Sequence, residues 1–258
     1  GYNSNGTAGL AGAAAASTIK GCSYEGSVSG TYYVGGLIGN GNDLSITDCT
    51  VKGTVTVKNN YSGGIAACLK KGSISGCNVQ ADITSTNANV GGIAGQLTTN
   101  SCTIENCSFN VKLSGASNVG GIAGSCGTSS SKVYIIKGCT AAGTITSSGG
   151  YVGGIAGSGV ASIYNCENTA EVQYTGTSSS GGYVGGIVGY YSASSGTPEI
   201  SACINRGTIN SNRKWAGGIA GRNSRNDQPG KCRRNLFRSR RIEDFILLYN
   251  IRYCMCIR

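Results

Sequence analysis

The sequence predicts an all-β fold: a right-handed parallel β-helix of about seven to eight coils over residues 1–222, followed by an atypical C-terminal segment, 223–258. Three observations carry this reading. A glycine phrase returns at a nearly fixed period, an Ile-x-x-Cys phrase keeps step with it, and the residues after each cysteine alternate between apolar and polar.

The glycine phrase comes first because it sets the period. It stands at Ala8–Gly12, Gly35–Gly39, Gly63–Ala67, Gly91–Gly95, Gly120–Gly124, Gly153–Gly157, Gly185–Gly189 and Gly217–Gly221. Counted between second glycines, the steps are 27, 28, 28, 29, 33, 32 and 32 residues. Such spacing marks units that stack on one another and share one continuous core.

The second phrase occurs seven times: Ile19/Cys22, Ile46/Cys49, Ile74/Cys77, Ile104/Cys107, Ile136/Cys139, Ile163/Cys166 and Ile200/Cys203. Six residues after each cysteine comes Val28, Val55, Ile83, Leu113, Ile145, Val172 or Ile209, an offset that never varies. Between them, the positions two and four after cysteine are mostly apolar or small, and the odd positions are mostly polar. That period of two describes a strand with one buried face; a helix would need its apolar residues three and four apart.

Each repeat therefore holds one long strand after its cysteine, with shorter extended pieces at the glycine phrase and the isoleucine. Stacked at ~4.8 Å per coil, seven steps give a rod about 35 Å long. Right-handed coiling follows from the strong preference of parallel crossovers. Slipping any strand by one residue would turn its apolar set outward, so the register is well specified. Length varies in two places only: after the glycine phrase, and after the long strand, where Thr175–Gly182 is inserted. These are corners, and loops on a rigid scaffold are where binding is commonly placed.

Gly-Gly-[Leu/Ile]-x-Gly followed by Ile-x-x-Cys and then Gly-x-Val resembles the GLUG motif repeats of bacterial surface proteins. These include adhesin-like proteins and non-catalytic parts of IgA-specific metallopeptidases. The resemblance covers roughly residues 1–222. It implies an extracellular, cell-associated β-solenoid used in adhesion or display, although a fold alone does not fix an activity.

Composition suits that expectation. Forty-four glycines, two prolines and 39% apolar residues fit a narrow core with many tight corners. No run approaches the roughly 18 apolar residues of a membrane-spanning helix. The chain opens at Gly1 without an initiator methionine or secretion signal, which reads as part of a larger chain.

Cys22, Cys49, Cys77, Cys107, Cys139, Cys166 and Cys203 are expected to stack as a ladder of buried thiols acting as small apolar residues. Their identical side-chain directions argue against systematic pairing. Cys68, Cys102 and Cys126 lie apart from the ladder, and Cys102 with Cys126, in successive coils, is a candidate disulfide.

Catalysis and metal binding find little support. The chain has no histidine, hence no Ser-His or Cys-His pair and no His-Glu-x-x-His helix, and the repeated cysteines lack the close pairs of zinc sites. No cofactor is expected. A polysaccharide-active β-helix enzyme is the alternative reading, and it would need converging carboxylates. Glu25, Asp48, Asp82, Glu105, Glu167, Glu171 and Glu199 instead fall at scattered positions. Glu167 and Glu171 share a strand face but lie about 13 Å apart, beyond glycosidase spacing.

The candidate ligand-binding residues are Tyr33, Tyr61, Tyr151, Tyr183 and Trp215. They occupy one position per coil, just before the Val-Gly-Gly or its equivalent, with Asn89 and Asn118 between them. If Val34, Val90, Val119, Val152 and Val184 point inward, the rings line one outer edge. They would offer rigid apolar area with a polar rim to a glycan or protein partner, or simply cover a corner by stacking. An ice-binding array is a weaker idea, because the face carrying Thr54, Thr56, Thr144 and Thr146 also bears Asp82, Lys112, Glu171 and Gln173.

From Arg222 onward the composition changes. Ten Lys or Arg against three acids give +7 of the chain's +10, and the next Ile-x-x-Cys is missing. This basic segment reads as an out-of-frame tail or as a cap over the open end of the solenoid. Its arginines come without any nucleic-acid-binding module, so no nucleic-acid partner is expected. The reading is therefore a non-catalytic cell-surface β-helix for adhesion or ligand display, or a purely structural stalk.

Overall fold

The computed structural model describes residues 6–99, 101–127, 133–177, 182–192, 199–212 and 215–223, together with the backbone of 237–238. Among them every regular element is a β-strand, and the strands form parallel sheets stacked as a solenoid of about 7 turns.

One coil shows how the phrases map onto the fold. The end of Val34–Gly35 opens the glycine phrase in the first sheet. After a corner, Ile38–Thr47 crosses the second sheet and carries Ile46, and Thr50–Val57 crosses the third. In the next coil the same stretches are Ser62–Gly63, then Ala66–Leu69 and Gly72–Ser75, then Asn78–Ser85. The three sheets contain eight, fourteen and nine strands respectively.

The register agrees with the sequence expectation in every coil. Ile19, Ile46, Ile74, Ile104, Ile136, Ile163 and Ile200 are consecutive partners, as are Val28, Val55, Ile83, Leu113, Ile145, Val172 and Ile209. From Ile46 to Ile136 the isoleucines are fully buried. Each contributes about 1.5–3 kcal/mol by leaving water.

The motif's second glycine exists for a packing reason. A Cβ on Gly36, Gly64 or Gly92 would lie 2.5–2.6 Å from Val51, Val79 or Phe109, the inward residue two after the following cysteine. It would also strike the carbonyl of the next coil's second glycine. The glycine phrase and the cysteine strand therefore press on each other across the core, and the close approach excludes any side chain.

The corner before each cysteine is a second conserved device of the coil. Gly21, Asp48, Gly76, Asn106, Gly138, Asn165 and Ala202 all have φ between 51 and 62°, the left-handed region. That conformation suits Gly, Asn and Asp, which fill six of the seven positions. Each ladder thiol then donates to the carbonyl two residues before it, as Cys49 does to Thr47 (3.2 Å) and Cys166 to Tyr164 (3.2 Å). Cys49 to Cys166 are buried, while Cys22 and Cys203, at the two ends, are half-buried.

Two expectations need correcting. The position four after cysteine is not uniformly inward: Ala81 and Ala170 are fully buried, but Gly53 and Gly143 are exposed and Gly26 is half-buried, with φ of 106, 86 and 155°. Where no side chain needs burying, glycine takes a positive φ while the strand pairing continues unbroken, as in Gly26↔Gly53 and Val111↔Gly143. The long strand is also interrupted in the last two coils, at Glu167–Asn168/Glu171–Tyr174 and Ile204–Asn205/Ile209–Ser211. Asn168 Oδ1 accepts from Ala170 N (3.1 Å), and Asn205 Oδ1 accepts from Gly207 N (3.2 Å). These side chains compete with the backbone ladder for its donors and break the strand. Asn168 is fully buried and satisfied, donating from Nδ2 to Asn205 Oδ1 at 2.8 Å.

The segment 223–258 lies outside the described residues apart from Asn223 and the backbone of 237–238. Asn223 closes the strand Ala220–Asn223, and Phe237–Arg238 pairs in parallel with Ile200–Ser201.

Candidate functional site

The aromatic positions form a column where each coil passes from the third sheet into the first: Tyr33 follows Ser23–Gly30 and precedes Val34–Gly35, and Tyr61 follows Thr50–Val57 and precedes Ser62–Gly63. As expected, the residue after each one turns inward: Val34, Val90, Val119, Val152 and Val184 are fully buried, and Ser62 takes the same place after Tyr61. A second column faces the first from the start of the second sheet. It runs Asn40, Cys68, Gln96, Ser125, Ser158, Tyr190, Arg222 in consecutive register.

The columns touch with a one-coil offset. Ser158 Oγ donates to Asn118 Oδ1 (2.9 Å), the Tyr151 and Tyr190 rings lie 4.9 Å apart, and Arg222 Nη1 donates to the Tyr183 hydroxyl. Within the first column, Asn118 Nδ2 donates to Asn89 Oδ1 (2.9 Å), so the two amides continue the stacking where rings are missing.

Two ring stacks follow the solenoid axis. Tyr33 and Tyr61 have centroids 4.7 Å apart and planes within 7°; Tyr151 and Tyr183 are 5.1 Å apart and within 1°. These separations match the rise of one coil. Within each pair the rings therefore cover one face of one another. Burial, the neighbouring tyrosine hydroxyl and the Cys68 thiol raise the Tyr33 pKa, and burial likewise raises that of Tyr151. Tyr33 and Tyr61 also hold φ of 50 and 72°, where Asn89 and Asn118 sit more comfortably at 62 and 51°. Stacking of about 0.5–1.5 kcal/mol per pair offsets that strain. The four tyrosines thus fasten a corner, each spending one ring face on its partner.

The C-terminal end of the column differs. Trp215 meets Tyr183 edge-on, at 6.2 Å and 88°, and is 47% exposed. Tyr190 leans against both Tyr151 and Tyr183, and the Arg222 guanidinium lies over three rings, 5.1 Å from Tyr183, 5.7 Å from Trp215 and 5.9 Å from Tyr190. Tyr190 and Arg222 were not among the residues singled out from sequence. Their signal was present: the position after each glycine phrase is small or neutral-polar upstream, and only there does it become Tyr and then Arg.

Burial raises four of the thiols outside and inside the ladder, whereas hydrogen bonds from Cys107 and Cys166 lower their ladder neighbours Cys77, Cys139 and Cys203. None of the cysteines among the described residues is in a disulfide. Cys126 pairs in register with Leu97 and Gly159 and Cys102 with Gly72 and Tyr134, so they belong to different strands of their coils. Burial pushes Cys49 and Cys68 up to about 11 and Cys102 and Cys126 up to about 12. Hydrogen bonds with Cys139 and Cys77, together with burial, push Cys107 up as well.

Five of the acidic residues are each tied singly to the next coil. Asp43 pairs with Lys71 (2.8 Å), Glu105 with Lys137 (3.0 Å) and Glu167 with Arg206 (2.9 Å); Asp82 accepts from the Lys112 backbone (3.0 Å) and Glu171 from Asn210. Among the described residues no three His, Cys, Asp or Glu side chains group to hold a metal ion. Among the described residues no helix is long and apolar enough to cross a membrane.

A crystal structure of a Bacteroides ovatus protein, provisionally named an immunoglobulin A1 protease, shares this fold. It matches with a TM-score of 0.54 and 23% identity over 79% of this chain and 66% of that one. No curated protein matches the chain. The family profile described as the GLUG motif matches residues 30–56 and 86–114. Each match runs through a corner, a glycine phrase, an Ile-x-x-Cys and a long strand, so the GLUG motif in this chain is one coil of the solenoid.

Proposed function

We propose that this chain is a non-catalytic, extracellular module of a bacterial cell surface, and that it holds a glycan or protein ligand at the Trp215 end of its aromatic column. The observation that carries the reading is the cluster of Trp215, Tyr190, Tyr183 and Arg222, where a half-exposed indole stands beside a cation held among rings. Elsewhere the column consumes its own ring faces. The GLUG motif supports a surface role, and the absence of histidine together with singly paired carboxylates supports a role without catalysis.

The test is a glycan array probed with the full chain, the double variant Tyr151→Ala/Trp215→Ala, and the double variant Tyr33→Ala/Tyr61→Ala. Binding is expected to be lost in the first variant and kept in the second. A chain that binds no glycan, or binds equally after the first change, refutes the reading.

A further inference from the structure

We propose that the cysteine ladder is a linear site for soft monovalent metal ions of the copper(I) and silver(I) class, independent of the binding role assigned to the Trp215 end. The sulfurs stand in one line because the coils are in register on both sides of every cysteine. Thr47 and Thr50 pair with Ser75 and Asn78, these with Glu105 and Ser108, and the series continues unbroken to Ser201 and Ile204. The thiols also point alike: Cys49, Cys77, Cys107, Cys139, Cys166 and Cys203 all donate to the carbonyl two residues back, at 3.2–3.4 Å. Hydrogen bonds link each of these six thiols to its neighbours along the row. All seven coils keep sulfur here, whereas the inward position two residues on accepts Tyr, Val, Phe, Ala and Asn.

Such a row suits an ion that takes two sulfurs on opposite sides. Stacking sets the sulfurs about 4.8 Å apart, so an ion midway lies about 2.4 Å from each, close to the roughly 2.3 Å of a zinc–thiolate bond. Zinc itself wants four ligands in a tetrahedron, and among the described residues no three converge. Thiolate sulfur is a soft donor and favours copper(I). Charge fits a monovalent ion as well. Among the described residues no charged side chain is buried, so nothing inside would compensate an added charge. In each gap one S–H bond breaks, its proton leaves to solvent, the new thiolate binds the ion, and a lone pair of the neighbouring sulfur completes the line. One positive charge replaces another, the ladder stays neutral, and the large cost of burying an unpaired ion does not arise. With one ion per gap, each interior sulfur is shared by two ions. Half-buried Cys203 gives the row an accessible end.

The experiment counts silver ions on the reduced full chain by native mass spectrometry, with proton release followed in parallel; silver(I) is the probe because it keeps its oxidation state. An interior thiol holds an ion on each side, so Cys107→Ser should lose two ions. Cys203→Ser, at the end of the row, should lose one, and Cys68→Ser, a buried thiol outside the ladder, should lose none. One proton should leave for each ion bound. Circular dichroism checks that each variant folds, and Cys107→Ala repeats the count if the serine variant does not. A loss of one ion in every variant, as independent thiols would give, overturns the proposal. Equal counts for the full chain and the Cys107 variant overturn it too, as do silver uptake only after unfolding in urea and a release of two protons per ion.

Discussion

The left-handed corner before each cysteine can be tested with almost no steric interference. At Gly21, φ is 62°, and a Cβ built there meets nothing within 4 Å. Its amide donates to Thr47 O at 3.0 Å, a bond that substitution leaves in place. Gly21→Ala therefore changes only conformational terms. Forcing an L-residue into this region costs roughly 1–2 kcal/mol, and the lower entropy of the unfolded alanine chain returns about 0.4–1 kcal/mol. The expected net loss is about 1 kcal/mol, or about 2–4 °C in melting temperature for a chain of this size. Asn tolerates the left-handed region, as Asn106 and Asn165 do at the equivalent corners, so Gly21→Asn should lose only a few tenths. Gly21→Val should lose more than alanine, because its branched Cβ is least tolerant of φ > 0. The reciprocal change, Ala202→Gly at φ 51°, should gain a comparable amount. Urea denaturation with calorimetry reads all four. Equal losses for Ala, Asn and Val, or no gain at residue 202, would refute the claim that backbone conformation selects these residues.

Three further outcomes follow from packing and burial. Ser62 is fully buried between Val34 and Val90 in the inward column, and its hydroxyl finds no hydrogen-bond partner among the described residues; Ser62→Val should raise the urea midpoint, and a fall would mean the cavity has no room. Gly92→Ala should destabilise by more than the roughly 1–3 kcal/mol of ordinary overpacking, because the new methyl meets both the Phe109 ring and the Gly121 carbonyl. Adding Phe109→Ala should then give less than the summed loss in a double-mutant cycle, and strict additivity would place the clash elsewhere. The raised thiols should make stability fall as pH rises from about 9 to 12: Cys49 and Cys68 keep their protons up to about 11 and Cys102 and Cys126 up to about 12, while the unfolded chain loses them near 9.0. Below 9.0 that contribution is fully present, so urea midpoints that stay flat to pH 12 would contradict it.

How much of this was legible in the sequence depends on which residues repeat. The Ile and Val ladders, the thiol ladder and the inward valines of the glycine phrase were readable because a solenoid writes each contact once per coil. The glycine-to-Phe109 contact was not, because it joins two phrases that are separated in the chain and meet only across the core. The left-handed corners were hidden differently: Gly, Asp, Asn and Ala share a backbone conformation, not a side-chain chemistry. The exposed glycines Gly53 and Gly143 misled for the same reason, since a glycine in an alternating strand reads as buried when nothing requires it to be.

The aromatic column shows why repetition argues for structure and deviation for function. In a parallel solenoid an identical residue in the next coil sits one rise away, so repeated rings stack and spend their faces on each other, as Tyr33 on Tyr61 and Tyr151 on Tyr183. A ligand competing for those faces would have to break the stack, which at Tyr33 and Tyr61 also offsets a strained backbone. A residue that fails to repeat has no copy to cover it. Trp215 breaks the parallel stacking by turning edge-on to Tyr183, and Arg222 breaks the neutrality of the facing column at the same coil. The two departures coincide, and that coincidence places the binding proposal at the last coil. The same logic yields a sharp contrast: placing tyrosine at 215 should let the stack continue from Tyr183 and weaken binding, while leaving thermal stability unchanged or higher. Binding retained in Trp215→Tyr would show that ring exposure, and not the break in repetition, is what the ligand reads.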